Sequence, residues 1–175
     1  MLTPREFQAL SLIARGCTDR DISAQLCVSL STARKYREHL HTKLSLNKSA
    51  QLAIYYLETF SALESTNKNQ LTNTRLSDRE LQIVQLFAQG LSDKEVARKL
   101  GISDLTVRKH RSNMQSKLAT SNICGLLYEA VANGWLALPL GALAKTDNAA
   151  DRATAAAVGQ GHGLLLSWYS GRCKR

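Results

Sequence analysis

Residues 105–118, LTVRKHRSNMQSKL, hold Arg108, Lys109, Arg111 and Lys117, with His110 among them and no acidic side chain. Guanidinium and ammonium groups donate hydrogen bonds and accept none, so they call for anionic or carbonyl-type oxygens. Phosphates and base-edge acceptors supply both. Nothing within the stretch neutralises the charge, and a ligand outside the chain is expected to do so. Other chemistries find less support. No nucleophile, base and carboxylate converge as a catalytic set, so an enzyme is not expected. Cys17, Cys27, Cys124 and Cys173 are scattered without a C-x-x-C, and with His39 and His41 they lack the paired spacing of a zinc module. Incidental thiols, surface histidines and no cofactor are the expectation. GQGHG at 159–163 follows no strand pattern and lies in an Ala- and Gly-rich stretch, which reads as low complexity rather than a phosphate loop.

The basic stretch occurs twice. Sliding the chain by 74 residues matches it to itself without a gap, with 17 identities over the 57 positions 2–58 and 76–132. Glu6 falls on Glu80, Gly16 on Gly90, Asp19 on Asp93, and Thr32, Arg34, Lys35 and Arg37 on Thr106, Arg108, Lys109 and Arg111. The other copy of the stretch is STARKYREHLHTKL, 31–44. The chain therefore divides into a first unit (1–60), a linker (61–75), a second unit (76–137) and a tail (138–175).

The elements that carry these residues read as helices. Thr3-Pro4-Arg5-Glu6 and Ser77-Asp78-Arg79-Glu80 are capping boxes. Apolar residues follow at helical spacing, Phe7, Leu10 and Ile13 in one copy and Leu81, Val84 and Phe87 in the other. Gly16 and Gly90 end these helices. A second short helix starts at Thr18 or Ser92, and a tight turn leads to Ser29 or Ser103, each an N-cap for the helix bearing the basic stretch. A fourth helix, about 48–60 and 122–135, closes each unit. The fold class is all-α: two tandem four-helix units with a C-terminal tail expected to be disordered.

A short second helix, a turn of about three residues and a basic third helix make the helix-turn-helix pattern, whose second element enters the major groove of DNA. At about 100° per residue, Val107, Met114 and Leu118 form one face, while Arg108, Lys109, Ser112 and Ser116 lie opposite, flanked by His110 and Lys117. In the first copy Ala33, Leu40 and Leu44 face inward, and Arg34, Lys35, Glu38 and Thr42 outward. The fourth helices, AQLAIYYLETF and CGLLYEAVANGWL, are apolar over more of their circumference than one small core needs. Tyr55, Tyr56, Tyr128 and Trp135 are expected to cover a second surface there. They would join the units as a pseudo-dimer within one chain, or two chains as a homodimer.

The strings LTPREFQALSLIARGCTDRDISAQLCVSLSTARKYREHLHTKL and LSDRELQIVQLFAQGLSDKEVARKLGISDLTVRKHRSNMQSKL each resemble the DNA-binding domain of the LuxR/FixJ/NarL family of bacterial transcription regulators. The resemblance implies a four-helix domain that reads double-stranded DNA with its third helix and often dimerises through its fourth. Carried over by position, Arg108, Lys109 and Ser112 would face bases, and Thr106, His110 and Lys117 would lie near phosphates. The first unit's counterparts are Arg34, Lys35 and Glu38, with Thr32 and Lys43. That unit departs from the pattern: Cys27 stands where the second has Gly101, Ala33 replaces the usual Val, and Tyr36 the His. A left-handed Cys27 would cost roughly 1 kcal/mol, and Glu38 places an acid on the reading face, so the second unit is expected to bind DNA more strongly.

Composition agrees with a nucleic-acid partner. The 175 residues carry a formal net charge of +9, concentrated in patches. No signal peptide and no apolar run near the 18 or so residues of a membrane span is present, so a cytoplasmic, nucleoid-associated protein without a membrane partner is expected. The first unit begins at residue 2, so no upstream receiver or sensor domain is expected, and control through expression level or a partner protein is the expectation. RNA polymerase is a candidate partner. The linker, SALESTNKNQLTNTR, would span roughly 20 Å as a flexible coil and about 50 Å extended. Half-sites one turn apart lie roughly 34–36 Å from centre to centre, within its reach. Two other readings stay open. One is an interaction module that sequesters another LuxR-type regulator through the fourth helices. The other is a sigma-factor-like module, against which the duplication argues.

Overall fold

A computed structural model of the chain describes residues 2–60 and 75–137. Residues 61–74, all but the last position of the expected linker 61–75, and residues 138–175, with Cys173 and the GQGHG stretch, lie outside the described residues. Every described element is helical: α1 (Pro4–Ala14), α2 (Asp19–Leu26), α3 (Leu30–Lys43), α4 (Ser49–Phe60), α5 (Asp78–Ala88), α6 (Asp93–Leu100), α7 (Asp104–Lys117) and α8 (Ile123–Ala132). The second four repeat the first four in order and nearly in length. No described helix is long and apolar enough to cross a membrane.

Helix starts follow from side chains that satisfy the free N–H groups of a first turn. Thr3, Thr18, Ser77 and Ser92 each begin a reciprocal capping box with Glu6, Asp21, Glu80 and Glu95. Ser29 and Ser103 accept from the backbone N–H of Thr32 and Thr106. The fourth helix of the second unit stops at Ala132, three residues short of the expectation, because Gly134 takes a left-handed φ of 74° and turns the chain back.

Each unit buries one apolar cluster. Leu10, Ile13, Ile22, Leu40 and Leu52 are sealed in the first, and Ile83, Val84, Val107, Met114 and Leu126 in the second. Each such side chain contributes roughly 1.5–3 kcal/mol on leaving water. The clusters do not respect the unit boundary. Ile54 and Leu57 of α4 belong to the second cluster, Cys124 of α8 belongs to the first, and Ile123 packs against both. Helices α4 and α8 thus lie against each other and share their apolar faces. Tyr55 and Tyr56 sink into the first cluster, where Tyr56 and Phe60 surround Phe7 at ring separations of 6.0 and 4.9 Å. Tyr128 and Trp135 pack half-buried against the second.

The contact between units is reciprocal. Asn122, ahead of α8, donates through Nδ2 to the carbonyl of Gly16 at 2.6 Å. Its counterpart Lys48, ahead of α4, donates through Nζ to the carbonyl of Gly90 at 2.7 Å. Gly90 is the counterpart of Gly16, so position i meets j and j meets i, as across a two-fold axis. The approach is close. A Cβ on Gly16 would stand 2.8 Å from the Cα of Gly125, whereas on Gly90 it would meet the Gln51 side chain at 3.2 Å. Lys48 also reaches Glu95 at 3.2 Å. Hydrogen bonds from Ser92, with Lys48 adding to them, hold the Glu95 carboxyl down at about 2.

These glycines separate two costs. Gly101 also has positive φ, but a Cβ there meets nothing. Gly101→Ala should therefore lose only backbone strain, roughly 1–2 kcal/mol. Gly16→Ala adds a clash with backbone that cannot swing aside and should lose roughly 2–4 kcal/mol. Equal urea midpoints for the two variants would contradict the close packing between units.

Candidate nucleic-acid interface

Helix α7 is held by its inward side chains and by two ion pairs. Val107 and Met114 are fully buried. In its middle, Arg111 donates to both carboxylate oxygens of Asp93 on α6, at 2.8 and 2.7 Å. At its C-terminal end, Lys117 donates to both oxygens of Glu80, at 2.8 Å each. Helix α3 repeats the scheme. Arg37 bonds Asp19 at 2.8 Å and Lys43 bonds Glu6 at 2.7 Å. Glu6 and Glu80 are 4% and 3% exposed and also accept from the backbone N–H of Thr3 and Ser77, each at 2.8 Å. One carboxylate therefore caps the first helix of a unit and fixes the end of its third.

This corrects the reading of the basic stretch as a charge left unneutralised. Its acids lie outside it, Asp104 next to it in sequence and Asp93 and Glu80 on the two preceding helices. The side chains of Lys43 and Lys117, expected near phosphates, are directed to buried glutamates within the fold. Arg108 is paired too, with Asp104 at 2.9 Å and more distantly with Asp93 at 3.9 Å, but its side chain is 55% exposed. Its counterpart Arg34 lacks the partner that Asp104 provides, because Leu30 stands at that position. Among the described residues, no ion pair holds Arg34, Lys35 or Lys109, and all three are exposed.

The remaining site residues are divided between the outer side of these helices and its flanks. Glu38 and Ser112 are exposed, and His110 is half-buried. Thr32 and Thr106 sit in the first turn, their hydroxyls 2.8 Å from those of Ser29 and Ser103. The turn before α3 forms despite Cys27, whose φ and ψ of 52° and 47° match the 64° and 33° of Gly101. The following N–H bonds back in both copies at 3.0 Å, Val28 to Ser23 and Ile102 to Ala97. One outward residue escaped the sequence reading. Leu105 lies on the first turn of α7 and is 77% exposed. Its signal was a large apolar side chain on an otherwise polar face.

Cys124 is buried, its thiol donates to the carbonyl of Ser49 at 3.3 Å, and burial pushes its pKa up to about 11. Such a thiol is a packing group rather than a nucleophile. His41 donates through Nδ1 to the carbonyl of Leu46 at 2.6 Å. Among the described residues no cluster of His, Cys, Asp or Glu is suited to a metal ion.

A family model described as bacterial regulatory proteins, luxR family, matches residues 1–56 and 74–130. Among curated proteins, the Fimbriae Z protein of Escherichia coli (strain K12) is 40% identical over 72 residues, which cover 40% of this chain and 34% of that protein. The transcriptional regulatory protein UhpA of Salmonella typhimurium is 42% identical over 60 residues, 34% of this chain and 30% of the other. The virulence factors putative positive transcription regulator BvgA of Bordetella pertussis is 28% identical over 131 residues, 72% and 59% of the respective chains. The match thus spans about a third of the first two relatives and under two thirds of the third. No solved structure matches.

The glutamate clamp has a pH signature. Burial raises the Glu80 carboxyl, and hydrogen bonds from Lys117 and Ser77 more than reverse this, leaving it below the ordinary glutamate value. A group with a depressed folded pKa stabilises above its unfolded pKa, and that stability is lost as pH falls through the folded value. Glu80→Gln should cost about 1–2 kcal/mol at pH 7, moderated because the Lys117 side chain is 41% exposed. The gap between variant and wild-type urea midpoints should hold at neutral pH and close progressively as pH falls through and below the ordinary glutamate range. A gap unchanged over that range would contradict an ionised, clamped Glu80.

Proposed function

The chain belongs to the luxR family of bacterial regulatory proteins, and from that premise we propose that it is a sequence-specific transcription regulator that binds duplex DNA through two helix-turn-helix units. The units are 1–60 and 76–137, joined by the linker 61–75. Helices α3 and α7 enter the major groove. The observation that carries this reading is the sorting of cations on those two helices. Arg37, Lys43, Arg111 and Lys117 are each taken up by a carboxylate of the fold. Arg34, Lys35 and Lys109 face outward without one. Folding accounts for the first group, and phosphates and base acceptors account for the second. Arg108 stands beside them, its half-exposed guanidinium paired with a partly buried Asp104 and free on its outer side to meet a guanine edge.

The reciprocal contact of α4 and α8 supports a pseudo-dimer within one chain. A two-fold relation between reading helices matches an inverted pair of half-sites. The half-sites are unlike, because the first unit offers Arg34, Lys35 and Glu38, and the second Arg108, Lys109 and Ser112. The same packing speaks against sequestration of another regulator through the fourth helices, since residues 52–57 of α4 are already buried.

Footprinting of duplexes selected from a random pool should give two protected patches about one helical turn apart, with inverted and imperfect half-sites. Arg108→Ala should cost on the order of 1–3 kcal/mol at the selected site and relax preference at one base position. Unchanged affinity and preference in the folded variant would count against α7 as the reading helix. A single short footprint that survives deletion of 1–60 at full affinity would overturn the bipartite reading.

A further inference from the structure

Leu105 is the one large hydrophobic side chain strongly exposed among the described residues. A lone exposed leucine is ordinary on a protein surface, so its position must carry the argument. At about 100° per residue, Leu105, Ser112 and Ser116 lie within about 40° of one another, directly opposite the buried Val107 and Met114. Arg108 falls on one side of this line and Lys109 on the other. Leu105 therefore stands at the centre of the reading face, between the two cations, on the N-terminal turn that reaches base edges.

The major-groove edges of the four base pairs are polar except at one point, the C5-methyl group of thymine. A leucine set against guanine, cytosine or adenine would strip water from donors and acceptors and return no hydrogen bond. Set against a thymine methyl, it removes apolar surface from water on both partners. We infer that Leu105 is a specificity-determining residue that selects a thymine in the half-site of the second unit by contact with its methyl group. The inference rests on the DNA-binding reading above. The first unit supplies an internal contrast. Its counterpart Ser31 is polar, and its hydroxyl lies 2.8 Å from that of Ser29, so the matching position of the first half-site has no methyl dependence.

The test replaces each thymine of a selected duplex, one at a time, by deoxyuridine, which removes the methyl and leaves base pairing intact. The full chain should bind about three- to five-fold more weakly at one position of the second half-site. Leu105→Ser, whose change lies outside the core, should bind the thymine and uracil duplexes equally at that position and still respond to salt as wild type does. Two results overturn the inference: a wild-type chain that binds the duplex yet ignores every thymine methyl, or a discrimination that persists in Leu105→Ser. A chain that binds no duplex overturns the broader reading instead, and the two failures are told apart by binding alone.

Discussion

A carboxylate buried at the base of each unit constrains everything above it. Glu6 and Glu80 are withdrawn from solvent, and an ionised group in that position persists only when it is fully partnered. The partners are the N–H groups that begin the first helix and the ammonium that ends the third. The start of one helix and the end of another are thus tied to the same few atoms. With the Arg–Asp pair one to two turns earlier, this tie holds the third helix at a fixed roll, so that Ala33 and Leu40, or Val107 and Met114, face inward. The outward residues inherit their direction from that roll.

The same logic extends across the chain. A unit of about 60 residues buries a modest core. Here each unit borrows apolar surface from the other: Ile54 and Leu57 complete the second cluster and Cys124 the first. The glycines that end α1 and α5 let the partner unit approach their carbonyls, where Asn122 and Lys48 dock. The two-fold relation is imperfect in an instructive way. Gly125 brings backbone against Gly16, while Gln51 brings a flexible side chain against Gly90. One half of the junction is rigid and the other adjustable.

Much of the fold was legible because its cues are local. Capping boxes, C-terminal glycines and the inward stripes of α3 and α7 depend on residues three or four apart, and they placed the helices nearly where they stand. The fate of the cations was not legible. Arg111 meets Asp93 across 18 positions and Lys117 meets Glu80 across 37. Composition within one window therefore reported a surplus that tertiary pairing removes. The repeat did hold a clue, since Glu6, Asp19, Arg37 and Lys43 all recur at 74 residues' distance. Recurrence alone cannot separate a residue kept for folding from one kept for a ligand, because Arg34 and Lys35 recur as well. The aromatic residues of α4 are expected to cover a second surface, and Tyr56 also packs with Phe7 in the core of its own unit. Size and polarity at one position do not say which of two apolar neighbours a helix face meets. Leu105 leaves no mark in the apolar periodicity, because that periodicity reports inward stripes and Leu105 points outward.

The central claim is that the two units form one rigid body, with their reading helices held in a two-fold relation by α4 and α8. Backbone 15N relaxation of the full chain measures this directly. Residues 2–60 and 75–137 should report a single rotational correlation time, appropriate to their combined mass. Shorter correlation times, each appropriate to one unit alone, would show that the units tumble independently and would contradict the account.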